Sequence, residues 1–373
     1  AGGCWQAARA RHAIIAMGRL GGREIGYASD ADVLFVHEAR DGAGEEAAAQ
    51  EAEAVAKQVM GLLASALPHP LEVDCDLRPE GRNGVMSRSL DAYREYYGRW
   101  SALWERQALL RARPCAGDHD LGWRFEELIN PLRWAQEGLA SQDLREIRRI
   151  KARVEAERLP RGVDPARHLK LGPGGLSDVE WSAQVLQLAH AGRIPQLRTT
   201  STVSALQAAV QAGVLSADGG GDLVAAWILA SRLRSAIVLG TGRASGPRSQ
   251  VLPNQIREIR LVGRLIGLDA GRERELEDLY RRSARHARAV AERIVFTDAA
   301  AQGSAASTPT TTTVAQQHSG DSPASRSTAR NARAQSRRGA GTAASKNSSS
   351  KGSRRASRSR ATRRRPEGPY PWS

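Results

Sequence analysis

Three aspartates carry the clearest chemical signal in this sequence. Asp30 and Asp32 stand two residues apart at the head of a strand-like run, and Asp74 lies in a later strand-like segment. Side chains two residues apart on a strand point to the same face, so the first two carboxylates are expected side by side. Their mutual repulsion is removed by a divalent cation such as Mg²⁺, which shares its ligands with substrate phosphates. Asp30, Asp32 and Asp74 are therefore the predicted metal ligands and catalytic residues.

A glycine-rich turn segment, residues 18–30, lies just upstream of this pair. Its glycines allow backbone N–H groups to close on phosphate oxygens, and its arginines are candidate phosphate partners. The predicted nucleotide-binding residues of this segment are Arg19, Gly21, Gly22 and Arg23. A lone Asp-x-Asp or Gly-Gly pair is more often a solvated strand edge or an ordinary turn. In this order, with Asp74 about 40 residues further on, they are similar to the DNA polymerase beta-type nucleotidyltransferases.

The elements that must position these residues form a small mixed domain followed by helices. Short apolar runs predict strands over Ala13–Met17, Asp32–Val36 and Leu71–Leu77, with a helix over 43–66. Residues 89–297 show helical periodicity, beginning with a helix over Ser89–Arg113 that ends at Pro114. We predict an α+β chain with a catalytic domain over 1–88, a helical bundle over 89–300 and a disordered tail over 301–373.

The basic excess of the chain is concentrated in that tail. The whole chain has a net charge of +15, but residues 302–373 alone hold 14 basic and only two acidic residues. Nucleic-acid binding is therefore not expected except through the tail. No apolar run approaches the ~18 residues of a membrane span, and the three scattered cysteines are typical of a reduced, cytoplasmic setting. The chain starts at Ala1 and soon enters a strand-like run, so we expect a fragment of a longer protein.

Four long segments give a more specific resemblance, to the glutamine synthetase adenylyltransferases. In order along the chain they are Ala16–Val36, Val73–Gly84, Tyr96–Asp118 and His168–Leu188. Members of that family contain two nucleotidyltransferase halves, one of which adds AMP to a tyrosine of glutamine synthetase while the other removes it. The adenylylating half typically reads Gly-Tyr-x-Ser-Asp-x-Asp, as residues 26–32 do here. The resemblance therefore implies the C-terminal, adenylylating half.

The resemblance also implies roles for particular residues. It makes Asp30, Asp32 and Asp74 the Mg²⁺ ligands, with ATP as the nucleotide. It adds three nucleotide contacts, which are Ser29, Arg78 and Arg82. Glutamine synthetase is the implied acceptor and a PII-type signal protein a further partner.

Several alternatives stay open at this point. The acceptor could be another protein or an RNA end. Alternatively, the chain could be a non-catalytic basic binding protein that acts through the tail. Arg78 could equally pair with a neighbouring carboxylate. Asp178 and Glu180 follow a second glycine-rich turn, and the sequence favours a helix start over a place in the active-site cleft.

Overall fold

The computed structural model describes residues 8–27, 29–66, 70–243 and 246–296. The predicted tail at 301–373 lies outside these ranges. Within them a small sheet precedes a large set of helices, which confirms the predicted α+β class.

The sheet and its helices occupy the first part of the chain. The elements are β1 (Ala10–Ala16), α1 (Gly18–Gly21), β2 (Ala31–Ala39), α2 (Glu45–Ala64), β3 (Val73–Asp74), β4 (Ser87–Ser89), α3 (Leu90–Trp100), α4 (Leu103–Leu109), β5 (Arg113–Gly117) and α5 (His119–Arg133). The helical part follows with α6 (Ser141–Arg158), α7 (Leu176–His190), α8 (Thr202–Gln211), α9 (Ala217–Thr241), α10 (Ile256–Leu265) and α11 (Glu275–Phe296).

The sheet is mixed, with the strand order β3-β2-β1-β5 and with β4 also paired to β2. β1 runs antiparallel to both β2 and β5. β3 and β4 run parallel to β2, with β3 beside its first two residues and β4 beside Phe35–His37. β2 is therefore the strand on which the other parts of the sheet are assembled.

β2 is apolar on both faces because both faces are covered. Leu34 and Val36 pack in a core with side chains of α3, α4 and α5. Val33 and Phe35 point the other way, toward Ala56 of α2. A strand buried on both sides reads as a continuous apolar run instead of an alternating one, which is the pattern that predicted this strand.

The chain departs from the predicted long helix over Ser89–Arg113. Ser89 is the N-cap of α3, and its Oγ accepts a hydrogen bond from the Ala92 N–H at 3.2 Å. The helix ends at Trp100, α4 follows, and the chain then turns into the unpredicted strand β5 before α5 begins. β5 forms backbone hydrogen bonds with the edge of β1 that β2 leaves free. This long-range pairing is not revealed by local periodicity. The sheet thus continues past residue 88, and the division proposed there stays a prediction.

α9 is the central helix of the helical part. It contacts α7, α8, α10 and α11, and Leu223, Trp227 and Leu233 lie in the largest hydrophobic core. Within the described residues, α9 is the one helix that is long and apolar enough to cross a membrane, judged by length and composition alone. Its apolar character has a structural account, because helices pack around several of its sides.

Candidate active site

The three predicted aspartates meet at the beginning of β2. Asp32 is the second residue of β2 and lies directly opposite Asp74 of the parallel strand β3. Asp30 comes just before the strand. One carboxylate oxygen from each of the three lies within 4.8 Å of the others. We call these three residues the carboxylate cluster.

Crowding and burial act strongly on this cluster. Burial, followed by the charges of Asp30 and Asp74, raises the pKa of Asp32 to about 7. Burial likewise raises the pKa of Asp74. The three carboxylates repel one another when all are ionised and no cation is bound. Their oxygens are the ligands that a hard divalent cation such as Mg²⁺ prefers. The donor set is therefore chemically suited to the metal that the sequence predicts.

Asp76, two residues after Asp74, does not join the cluster. β3 ends at Asp74, whose Oδ1 accepts a hydrogen bond from the Asp76 N–H at 2.6 Å in a tight turn. Alternation stops where the strand stops. The Asp76 carboxylate instead accepts a 2.6 Å hydrogen bond from Nε of Arg82.

Gly18 is glycine because Asp32 lies against it. A Cβ at Gly18 would lie 2.0 Å from Oδ2 of Asp32, and the residue has a left-handed φ of +47°. Gly21 and Gly22 serve a different contact, since a Cβ would lie 1.9 Å from the Arg111 carbonyl oxygen or 2.2 Å from its Nη1. Close packing accounts for these glycines, and neither Gly21 nor Gly22 lines the cavity described next.

A cavity of about 570 Å³ opens beside the cluster. Asp30 and Asp32 line it from the sheet, as do the predicted residues Arg19 and Ser29. Ser29 Oγ is buried and has no hydrogen-bond partner among the described residues, so it is open to a ligand. Residues of the helical part complete the wall, and those with charged side chains include Arg158, Lys170, Glu180 and Arg234. The sequence analysis did not single out Lys170, although it lies in the family-like segment His168–Leu188. It also missed Arg234, an isolated basic residue with no local motif.

Arg19 lies deep in the cavity wall. Its Nη2 donates to Ser231 Oγ at 3.3 Å, and its guanidinium lies 5.2 Å from the ring centre of Trp227. Its Nε is buried without a hydrogen-bond partner in the described part of the chain. Burial lowers the pKa of Arg19, although the nearby Glu180 opposes that effect.

Three further predicted nucleotide contacts, Arg23, Arg78 and Arg82, do not line this cavity. Arg78 is buried, and its guanidinium donates to the carbonyls of Cys75, Arg82 and Gly84 at 2.9 to 3.3 Å. It also lies 3.7 Å from the Asp76 carboxylate. These contacts favour the alternative in which Arg78 stabilises its own loop. Arg82 is 82% exposed and pairs with Asp76, and Arg23 is exposed.

Arg111 connects the two parts of the chain beneath the site. Its guanidinium pairs with Glu24 at 2.7 Å and with Glu180 at 2.8 Å, and it also donates to the Thr200 carbonyl at 2.9 Å. Glu24 in turn accepts from the Thr202 N–H at 2.6 Å, at the start of α8. The glycine segment is thereby fixed to α7 and α8.

The two acids after the second glycine turn separate. Asp178 is buried away from the cavity, where it accepts from the Gly174 N–H at 2.7 Å and pairs with Lys151 and with Arg288. This is the structural role favoured by the sequence. Glu180 lies in the cavity wall, which the sequence did not favour.

Comparison with known proteins adds to this geometry. Residues 4–128 match the family model of glutamate-ammonia ligase adenylyltransferase. This part of the chain belongs to that adenylyltransferase family. Residues 147–294 match a second model, described as GlnD PII-uridylyltransferase. The helical part is thus similar to part of that second family.

Curated relatives are similar over most of the described residues. Their name is bifunctional glutamine synthetase adenylyltransferase/adenylyl-removing enzyme. One from Streptomyces coelicolor is 53% identical over 288 residues, and one from Mycobacterium avium is 48% identical over 283. These alignments cover 77% and 76% of this chain but 28% of each relative. The chain therefore spans a little over a quarter of the length of the relatives it matches.

Proposed function

We propose that this chain transfers AMP from ATP to a tyrosine of glutamine synthetase and releases pyrophosphate. The observation that carries the proposal is the carboxylate cluster at the edge of a cavity lined with cationic side chains. Carboxylates suit the metal and cations suit the phosphates that such a transfer requires. The printed name of the relatives supports the choice of acceptor.

The residues of the chain divide the work of this reaction. Mg²⁺ held by Asp30, Asp32 and Asp74 would lower the pKa of the acceptor hydroxyl and offset charge on the departing pyrophosphate. Asp74, which is less deeply buried than Asp32, is the proposed acceptor of the tyrosine proton. Ser29 Oγ and Arg19 Nε offer unused donors to phosphate oxygens. The remaining proposed nucleotide contacts, Gly21, Gly22, Arg23, Arg78 and Arg82, lie outside the cavity wall and would need to act from its margin.

A labelling assay tests the proposal. Purified glutamine synthetase and ATP labelled at the α-phosphate are incubated with the full chain and Mg²⁺. The cluster variant Asp30→Asn plus Asp32→Asn should give no label above background, whereas Asp91→Asn, an exposed aspartate on α3, should match wild type. Equal labelling by the cluster variant and wild type would overturn the assignment.

The direction of AMP transfer is a separate part of the proposal. The relatives carry both activities in their name, and residues 26–32 resemble the adenylylating half. We propose that addition is the activity of this chain. Incubation of pre-adenylylated glutamine synthetase with the chain and phosphate measures the opposite reaction. Faster loss than gain of AMP would assign the chain to removal.

The proposed partners are glutamine synthetase and a PII-type signal protein, and the proposed compartment is the cytoplasm. The match of residues 147–294 to a PII-uridylyltransferase model supports the second partner. Replacing glutamine synthetase in the labelling assay by a PII-type protein or an RNA end distinguishes the acceptors. Preferential labelling of either replacement would favour a nucleotidyltransferase with another acceptor.

A further inference from the structure

Three of the basic side chains that line this cavity come from distant parts of the sequence. Arg19 belongs to α1, Lys170 lies in the segment before α7, and Arg234 lies on α9. Within the described ranges, neither Lys170 nor Arg234 forms a hydrogen bond or an ion pair through its side chain. Arg19 keeps a buried Nε without a partner. We call these three residues the cation cluster.

The cation cluster is electrostatically costly in the free protein. Burial lowers the pKa of Lys170, and the charge of Arg234 lowers it further. Burial, followed by the charge of Arg19, lowers the pKa of Arg234 to about 10. Arg111 provides the contrast, because it is more deeply buried yet pairs directly with two glutamates. Charges removed from water without a partner destabilise the folded state.

Such an arrangement is compensated by an anionic ligand. A cluster whose charges have no ion-pair partner among the described residues, but which lines a cavity, offers its free donors to what enters the cavity. Several cations together suit a ligand with several adjacent negative charges. The carboxylate cluster at the same cavity would repel that ligand unless a divalent cation intervened. A metal-bound polyphosphate suits both clusters, since its phosphates suit the cation cluster and its metal suits the carboxylate cluster.

We infer that Arg19, Lys170 and Arg234 bind the polyphosphate chain of the nucleotide and hold it beside the carboxylate cluster. The inference rests on the proposed function for the identity of the nucleotide. It assigns phosphate binding mainly to the helical part of the chain, whereas the sequence assigned it to the glycine segment and to Arg78 and Arg82. The residues act by binding and positioning.

Titration calorimetry on the full chain tests the inference with inorganic pyrophosphate and Mg²⁺ as the probe. Lys170→Gln and Arg234→Gln should each weaken pyrophosphate binding about tenfold or more, since each removes a partly buried charged contact. Arg99→Gln is the matched control, because Arg99 is an exposed arginine on α3 paired with Glu95. It should bind pyrophosphate as wild type does. Adenosine, which lacks phosphates, should bind equally to all four proteins.

Thermal unfolding without ligand separates binding from a structural role. Lys170→Gln and Arg234→Gln should unfold at or above the wild-type temperature, because each removes an uncompensated charge. Lys170→Arg should restore pyrophosphate binding in part. Wild-type pyrophosphate affinity in both glutamine variants would overturn the inference even if the chain transfers AMP. If the glutamine variants lose pyrophosphate binding but the wild-type chain labels no acceptor, the inference holds and the proposed function is overturned.

Discussion

Asp32 and Asp74 are register partners on two parallel strands, so their carboxylates emerge side by side from neighbouring backbones. The alignment depends on a β3 of only two residues, Val73 and Asp74. Because β3 ends there, the following residues are free to turn away, and Asp76 leaves the cluster. The shortest strand of the sheet thus sets the spacing of the proposed metal ligands.

Removing a cluster carboxylate should abolish activity without unfolding the protein. Asp32→Asn keeps the side-chain shape and removes one of three crowded negative charges. AMP transfer should fall by roughly a hundredfold or more, while the unfolding temperature in metal-free buffer stays the same or rises. Label transfer and circular dichroism on the same preparation measure both quantities. A variant that loses activity together with its fold would contradict this separation.

Mg²⁺ should stabilise the folded chain through the same residues. A ligand that binds only the native state adds about 2.7 kcal/mol at one hundred times its dissociation constant. Saturating Mg²⁺ should therefore raise the unfolding temperature of wild type, and EDTA should reverse the shift. The triple variant Asp30→Asn, Asp32→Asn, Asp74→Asn should show no shift. An equal shift in that variant would place the ion elsewhere.

Gly18→Ala should damage the site through a steric clash. The added methyl would lie 2.0 Å from the Asp32 carboxylate at a backbone φ of +47°. We expect a loss of about 1–3 kcal/mol in the free energy of unfolding and a fall in AMP transfer. Gly61→Ala is the matched control, because Gly61 lies inside α2 with no atom within 4 Å of the new methyl. That substitution should be neutral or stabilise by about 0.5–1 kcal/mol.

Arg111→Met should be among the most destabilising substitutions in the described chain. It leaves Glu24 and Glu180 without the buried cation that both contact. Breaking a buried charge pair by removing one partner costs about 3–5 kcal/mol. Urea unfolding measures the loss, and Arg94→Met, an exposed arginine on α3, should change the free energy by less than about 1 kcal/mol. Equal midpoints for the two variants would show that the Arg111 network contributes nothing.

His168 should make the chain less stable below neutral pH. Burial, followed by the charge of Lys170, lowers the pKa of His168 to about 4, and its Nδ1 accepts from the Leu171 N–H at 3.0 Å. The unfolded chain binds the proton near pH 6.5, so stability is full above that pH. It falls by roughly 2–3 kcal/mol as the pH drops toward 4.

The variant His168→Asn tests this pH dependence, because its amide oxygen can replace the Nδ1 acceptor but does not titrate. Free energies of unfolding measured between pH 7 and pH 4.5 should fall less steeply in the variant than in wild type. Parallel profiles would mean that His168 does not contribute.

Local patterns predicted part of this structure well. The apolar run of β2 and the two-residue spacing of Asp30 and Asp32 depend on neighbours in sequence, so both could be read directly. Lys170, before α7, and Arg234, on α9, line the cavity only through the tertiary fold, and no spacing in the chain signals that. The roles of Gly21 and Gly22 were hidden for the same reason, since the atoms that require them belong to Arg111.

The pairing of β5 with β1 has a consequence for shortened forms of the protein. A polypeptide that stopped at residue 88, where local patterns end the catalytic domain, would lack β5 and expose the backbone of Ala13–Ala16 as an open strand edge. Ile14 and Ile15 on that edge would offer a ready template for intermolecular pairing. Such a polypeptide should form aggregates that a protein extended through α5 avoids.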